Sequence, residues 1–394
     1  MDITIKPGKL TGTINAIPSK SQAHRLLICA AFADAPTKLY CSAVNQDIEA
    51  TAGCLSALGA TIKRTEFGYH ITPVTKLPEK AVLDCRESGS TLRFIIPVAG
   101  ALGVDCVFKM AGRLPQRPLS PLWEEMERMG CKLTRPTEDT IRLTGKLIAG
   151  KYSVCGSVSS QFITGLLLAI PLIDGCSQLQ VTGKVESKPY IDMTIQALNA
   201  FGVDVCDYSF SGTSCLKTPG EYTVEGDWSN AAFFLAANAL GSQVDINGLS
   251  DDSAQGDRAC REILAVLTKP AEINAADIPD LVPVLAVALG ATQGGIFTNI
   301  ARLRLKESDR VATVTAMLKS LGASVQVTEN TLQVFPGKYR GCTIDAAGDH
   351  RIAMAAAIAA TVAAEPVTIL GADCVAKSYP TFWQEYAKLG GCYE

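Results

Sequence analysis

The sequence has no basic surplus. Its 36 lysines and arginines stand against 39 aspartates and glutamates, a net charge of −3. A nucleic-acid partner requires a cationic excess to neutralise its backbone and is excluded. A small anionic ligand is not, because cations can be gathered in one place whatever the net charge. Histidine is scarce, with 3 in 394 residues, and the 14 cysteines form no C-x-x-C pair and no His/Cys spacing suited to zinc. No metal site is expected. The longest apolar runs, 162–173 and 281–290, fall short of the ~20 residues a membrane span needs, so no membrane partner is expected. Met1 leads straight into the alternating Asp2-Ile3-Thr4-Ile5, with no charged or apolar leader. The expectation is a cytoplasmic protein with reduced thiols. Hydrophobic content of 47% with 19% charge excludes a disordered chain.

What the chain does have is length and repetition. At 394 residues it exceeds one ordinary core, which gives two domains. A helix closing on Leu-Gly-Ala or a relative, followed by a short strand pair, recurs at intervals longer than those of solenoid repeats. It stands at 51–63, 122–133, 194–205 and 313–327. In each, glycine follows the last apolar-periodic residue, where a left-handed helix cap belongs. A copy at 260–270 lacks the glycine and most of its strand pair. The copy at 381–391 has no strands after it. Two alternating stretches, 2–5 and 10–14, precede any helix and are expected to complete that last copy. On this count residues 1–14 with 228–394 form one domain and 15–227 the other, with crossovers near 15–19 and 225–227.

Each copy also carries a helix rich in alanine and leucine, at 25–33, 91–102, 161–171, 230–240, 281–289 and 351–364. Several are apolar nearly all round, which places them inside. Helices buried by surrounding sheets make an inside-out α/β arrangement.

Polar residues cluster where these helices start: Ser19-Lys20-Ser21 with Arg25, Glu87-Ser88-Gly89-Ser90, Ser157 to Gln161, Asp227 to Asn230, Asp277 to Asp280, and Gly348 to Arg351. Any one alone is an ordinary cap. Together they are starts at which the free N–H groups and the helix dipole favour anions. Helix starts converging on a cleft between two domains would form an anion trap. Three further segments add charge: Arg113 to Pro118, Arg302 to Arg310, and Asp373 to Lys377.

Taken in order, PSKSQAHR, ESGSTLR, LPQRP, SSQFITG, ESKPYID, GDWSNA, LRLKESDR, GDHRIAM and AKSYP resemble the 3-phosphoshikimate 1-carboxyvinyltransferase (EPSP synthase) family. The resemblance implies a two-domain inside-out α/β barrel of six βαβαββ-type units, the fourth truncated here. It also implies transfer of the enolpyruvyl group of phosphoenolpyruvate to the 5-hydroxyl of shikimate 3-phosphate, through a tetrahedral intermediate. That chemistry calls for no cofactor, and the family expectation is a monomer whose domains close on the substrates. Carried over by motif, Lys20, Ser21, Arg25, Ser159, Ser160, Gln161, Ser187, Tyr190, Asp280 and Lys306 would hold shikimate 3-phosphate. Lys20, Gly89, Arg117, Gln161, Arg310, Arg351 and Lys377 would hold phosphoenolpyruvate. Asp280 and Glu307 are the expected proton-transfer carboxylates, with Lys20 and Lys377 as alternative proton donors.

Three features depart from the family pattern. The fourth unit is short. Arg302 stands where some members have an asparagine. Glu87 replaces the asparagine of the common GNxGT loop, and its charge must be turned away or paired, Arg93 being an available partner. The sibling UDP-N-acetylglucosamine enolpyruvyl transferases typically carry a lysine-asparagine pair where Lys20-Ser21 stands, and a reactive cysteine within the stretch 114–117. Neither is present.

Overall fold

In the computed structural model, which describes residues 1–210 and 215–394, helices occupy all six alanine- and leucine-rich stretches. They are Lys20–Ala31, Gly89–Leu102, Ser160–Ala169, Trp228–Ala239, Val282–Ala291 and His350–Ala360. Five begin on a side chain that accepts a first-turn N–H: Ser19, Ser88, Ser159, Asp227 and Asp349. Val282–Ala291 has no such cap. It carries Pro283 in its first turn instead, where the missing N–H belongs to a group with no intrahelical partner. The bodies of these helices are buried nearly throughout, as their lack of a polar face requires.

The chain divides into two units, Pro18–Glu225 and Met1–Ile17 with Gly226–Glu394. The boundary follows hydrogen bonding. Ala16 N–H donates to Asn247 O and Asp227 N–H donates to Ile17 O, so residues 15–17 and 226–227 go with the second unit and not with the expected 15–227 segment.

Pro18–Glu225 carries three sheets. Their strand orders are Glu221–Thr223, Thr37–Tyr40, Gly68–Thr72, Thr61–Thr65; Lys80–Asp84, Asp105–Lys109, Thr140–Gly145, Cys131–Thr137; and Lys151–Cys155, Ser177–Thr182, Ser209–Phe210. In each, the first pair is parallel and the remaining pairings are antiparallel. Parallel neighbours need a crossover, and the buried helices Gly89–Leu102 and Ser160–Ala169 supply it for the second and third sheets. The glycine closing the repeated helix takes positive φ, as at Gly59 (108°), where a Cβ would come 2.7 Å from Lys76 O.

The other unit also has three sheets. One orders Ala271–Asn274, Gly295–Thr298, Thr331–Val334 and Val325–Val327. The second orders Ile3–Ile5, Val367–Leu370 and Cys342–Asp345. The third is the two-stranded pair Thr11–Asn15 and Gln243–Asn247. Here the sequence expectation fails in part. Ile3–Ile5 does pair with Val367–Leu370 of the last copy, but Thr11–Asn15 runs parallel to Gln243–Asn247 in the short copy. Period-2 alternation marks a strand without naming its neighbour. Glu221–Thr223 does the equivalent in the first unit, pairing parallel with Thr37–Tyr40. Each passage between units therefore leaves from the lead strand of one sheet and enters a buried helix of the other unit. Residues 271–274 serve as lead strand of the next sheet, and no antiparallel strand joins Gln243–Asn247 among the described residues.

A close approach of two helices shapes the interior of the first unit. Pro97 lies inside Gly89–Leu102 and has no N–H to offer the Arg93 carbonyl. Gly165 of Ser160–Ala169 packs on that carbonyl, and a Cβ there would stand 2.2 Å from Arg93 O and 3.0 Å from Pro97 Cγ. Both obstacles are stiff. Gly165→Ala should therefore cost about 1–3 kcal/mol by overpacking, read as a lowered thermal midpoint. Gly53→Ala, with nothing within 4 Å of its Cβ, should be neutral or stabilising by up to ~1 kcal/mol.

Candidate active site

In the Pro18–Glu225 unit, the helix beginning at Lys20 presents cations at its start. Lys20 Nζ pairs with Asp47 Oδ2 at 2.9 Å, both side chains being mostly buried. One turn on, Arg25 is fully buried and its hydrogen-bond partners are all neutral. Nε donates to Thr194 Oγ1 (2.8 Å), Nη2 to Tyr190 O (2.8 Å) and Thr164 Oγ1 (3.3 Å), and Nη1 to Ser21 O. Burial pulls its guanidinium down to about 10, so it stays charged at neutral pH without a carboxylate. A buried cation of this kind is expensive unless an anion joins it.

A second cluster surrounds Gly89, the first residue of its helix. A Cβ at Gly89 would lie 2.5 Å from Arg117 Nη1 and 2.7 Å from Arg93 Nη1. Arg117 follows the short turn Leu114–Gln116. Arg93 Nη2 donates to Pro118 O (2.9 Å) and its Nη1 to Gln161 Oε1 (3.4 Å), while Gln161 Nε2 donates to Ser90 Oγ (3.0 Å). Ser159 caps the helix that carries Ser160 and Gln161. Ser187 sits in left-handed backbone (φ 56°) ahead of Lys188–Ala200, which carries Tyr190. The Glu87 carboxylate rests over Gly112, its Cδ 2.6 Å from the place of a Cβ there.

The second unit solves its charge problem differently. Arg310 is 1% exposed and gathers three carboxylates. Nη1 donates to Asp280 Oδ1 (2.6 Å), Nη2 to Glu307 Oε2 (2.6 Å) and Nε to Asp349 Oδ2 (2.8 Å). Arg351 Nη2 reaches Asp280 Oδ2 (3.1 Å), and Lys306 Nζ lies 3.9 Å from Asp280 Oδ1. Asp349 also caps the His350 helix and accepts from Ser308 Oγ (2.9 Å). Lys377 Nζ donates to Gly348 O (2.9 Å). Burial pushes the Asp280 carboxyl up, but Arg351, Lys306 and Arg310 outweigh it and hold it well below the carboxylate range. Lys306 is drawn down to about 8 by burial, with Asp280 opposing and Arg310 and Arg302 assisting. Among the described residues no group of three His, Cys, Asp or Glu is arranged to hold a metal ion. The acidic residues here converge on a guanidinium instead.

The match to the EPSP synthase (3-phosphoshikimate 1-carboxyvinyltransferase) family model covers residues 5–275 and 265–386. The chain belongs to this family. It is 38% identical to the 3-phosphoshikimate 1-carboxyvinyltransferase of Clostridium kluyveri, over 99% of this chain and 97% of that one. The Clostridium beijerinckii protein of the same name is 36% identical, over 100% and 98%. In fold, the chain superposes on EPSP synthase from Acinetobacter baumannii with a TM-score of 0.82 at 24% identity, covering 100% of this chain and 99% of that one. The enolpyruvyl transferase NikO from Streptomyces tendae gives 0.76 at 18% identity, with coverage of 100% and 98%.

For an EPSP synthase family member, motif reading alone passes over several polar residues. Asp47 pairs with Lys20 from a neighbouring helix, and nothing in sequence links the two. Asp349 lies within a quoted motif, but its bond to Arg310 is not legible there. Asp257 is hidden as well. It is 2% exposed, Ser229 Oγ donates to its Oδ2, and its Oδ1 has no hydrogen-bond partner among the described residues. Burial first, then the charge of Asp280, pushes this carboxyl up to about 7, with Arg351 opposing. From its ordinary 3.8 to about 7, the folded chain keeps a proton that the unfolded chain releases. Asp257 therefore withdraws stability as pH rises through that window, and withdraws no more above it. Asp257→Asn removes the effect. Its thermal midpoint relative to the unsubstituted chain should climb from pH 4 to pH 7 and then level off, roughly following that window. A pH-independent difference would show that the carboxyl is not held neutral by burial.

Proposed function

We propose that this chain transfers the enolpyruvyl group of phosphoenolpyruvate to the 5-hydroxyl of shikimate 3-phosphate, giving 5-enolpyruvylshikimate 3-phosphate and phosphate. Membership of the family over nearly the whole chain supports it. The observation that carries it beyond anion binding is the tie of Asp280 and Glu307 to one buried guanidinium. Beyond cancelling the charge of Arg310, these carboxylates are groups able to take and give protons, which anion binding alone would not call for.

The chemistry is acid–base and electrostatic. In the addition step the 5-oxygen attacks C2 of phosphoenolpyruvate, its proton leaves to a base, and the C3 methylene gains a proton to become a methyl group. In the elimination step the methyl group loses a proton, the C2–O bond to phosphate breaks, and phosphate departs. Asp280 is assigned the 5-hydroxyl proton. It is ionised in the cluster, and anions arriving at Arg351 and Lys306 would offset the cations that weaken it as a base. Glu307 is assigned the proton to and from the methylene carbon, with Lys20 and Lys377 as alternative donors. Ser21, Arg25, Ser159, Ser160, Gln161, Ser187, Tyr190 and Lys306 are assigned to shikimate 3-phosphate. Arg117, Gln161, Arg310, Arg351, Lys377 and the Gly89 backbone are assigned to phosphoenolpyruvate, and Lys20 to both. Arginine suits the planar carboxylate, and lysine supplies a compact charge. We read the two units as three βαβαββ-type copies each, built as an inside-out barrel with the fourth copy short, and the protein as a cytoplasmic monomer. The free state of all fourteen cysteines supports that location.

Phosphate release from the two substrates together should be catalytic, and Lys20→Ala and Glu307→Ala should each lower kcat by about 10²-fold or more. Binding of both substrates without release would leave only an anion-binding scaffold. Gly89→Ala probes the phosphoenolpyruvate assignment. Its methyl group displaces flexible guanidinium ends and no backbone, so the fold should survive. The KM for phosphoenolpyruvate should rise about tenfold, and inhibition by the phosphoenolpyruvate mimic glyphosate should weaken in parallel. Unchanged inhibition would show that Gly89 does not face that ligand.

A further inference from the structure

Two consecutive residues of the Lys20 helix, His24 and Arg25, are fully buried, and each ends on a pair of threonine hydroxyls bonded to each other. On the Arg25 side, Thr194 Oγ1 accepts from Nε (2.8 Å) and Thr164 Oγ1 accepts from Nη2 (3.3 Å). Thr164 and Thr194 are 2.9 Å apart, and Thr194 Oγ1 donates to Tyr190 O at 2.9 Å. The proton order follows from chemistry. Arginine only donates, so Thr194 gives its one proton to Tyr190 O and Thr164 gives its proton to Thr194. Every hydroxyl is then used once, and Arg25 is held by acceptors that carry no charge.

On the His24 side, Nδ1 lies 2.7 Å from Thr51 Oγ1, Thr51 lies 2.7 Å from Thr91 Oγ1, and Thr91 donates to Ser88 Oγ (2.8 Å) or Asp47 O (3.3 Å). Burial, aided by Lys20 and Arg25, keeps this imidazole neutral. All four threonines are 0% exposed. This chain ties together three helix turns: the one bearing Lys20, the one bearing Asp47, and the one capped by Ser88 ahead of Gly89. Neither chain touches the surface, and neither threonine pair is needed to fill space, since valine has the same shape.

We infer, on the enolpyruvyl-transfer reading above, that the two hydroxyl pairs are positioning residues with separate clients. Thr164 and Thr194 aim Arg25 at shikimate 3-phosphate, while Thr51 and Thr91 hold the start of the Gly89 helix for phosphoenolpyruvate. A hydroxyl-bearing residue is required at each position because a buried donor left without an acceptor re-aims or drops its contact.

The test compares Thr194→Val and Thr91→Val with Thr194→Ser and Thr91→Ser in steady-state phosphate release, after the unsubstituted chain has been shown to turn over. Thr194→Val should raise the KM for shikimate 3-phosphate about tenfold and leave that for phosphoenolpyruvate within about twofold. Thr91→Val should give the reverse pattern. The serine variants, which keep the hydroxyl, should restore both. Should Thr194→Val not fold, Thr164→Val keeps the Nε acceptor and reads the same split. Equal rises for both substrates, unchanged KM values, or serine variants no better than valine would overturn the inference. Absence of turnover in the unsubstituted chain would instead overturn the enolpyruvyl-transfer reading on which the inference stands.

Discussion

A helix buried on every side has only its ends to offer to chemistry. Its first-turn N–H groups have no intrahelical acceptor, and the dipole adds partial positive charge there. In this chain that constraint applies to six helices, and five meet it with a serine or aspartate cap. Lys20, Gly89, Ser160 and Arg351 fall in or beside those first turns, so the residues assigned to ligands sit where the fold already collects polar groups. Interior packing and site geometry are therefore one problem. Gly165 against the Arg93 carbonyl sets the helix spacing, and Arg93 and Gln161 reach each other across it.

The two units treat buried positive charge in opposite ways. Arg25 is surrounded by hydroxyls and carbonyls, so its charge is solvated but not cancelled. Arg310 is cancelled three times over and, with Arg351, keeps Asp280 ionised. The first arrangement favours a ligand that arrives as an anion. The second favours one whose anion competes for the cations and leaves a carboxylate more basic than before. The Asp257 carboxyl adds a reserve of protonation beside that cluster.

What could be read from the sequence was whatever depends on neighbours along the chain. The caps Ser19, Ser88 and Asp349 precede apolar runs, and the runs are apolar on all faces, so helix positions and their burial followed. The strand at Thr11–Asn15 was legible as a strand, but its partner was not, because Gln243–Asn247 lies far away in sequence and alternation carries no address. Lys20, Arg25 and Arg310 stood out as charges in motifs. Their counterparts Asp47, Thr164 and Thr194 did not, since a threonine on a helix reads alike whether it faces water or a guanidinium. Asp257 lies in the short 3₁₀ turn Gly256–Ala259, just after a serine- and aspartate-rich stretch, where one buried carboxyl is indistinguishable in sequence from its exposed neighbours.

The strands Ile3–Ile5 and Thr11–Asn15 also bear on how the chain is made. Ile3–Ile5 is translated long before its partner Val367–Leu370. Thr11–Asn15 likewise waits for Gln243–Asn247. During elongation these segments are edges without neighbours, open to pairing with another nascent chain. The Pro18–Glu225 unit carries both ends of each of its strand pairings within one continuous stretch and can order itself first. The other unit can close only after its last sheet has appeared, so assembly has a built-in sequence in which the half bearing Lys20 and Arg25 precedes the half bearing Arg310.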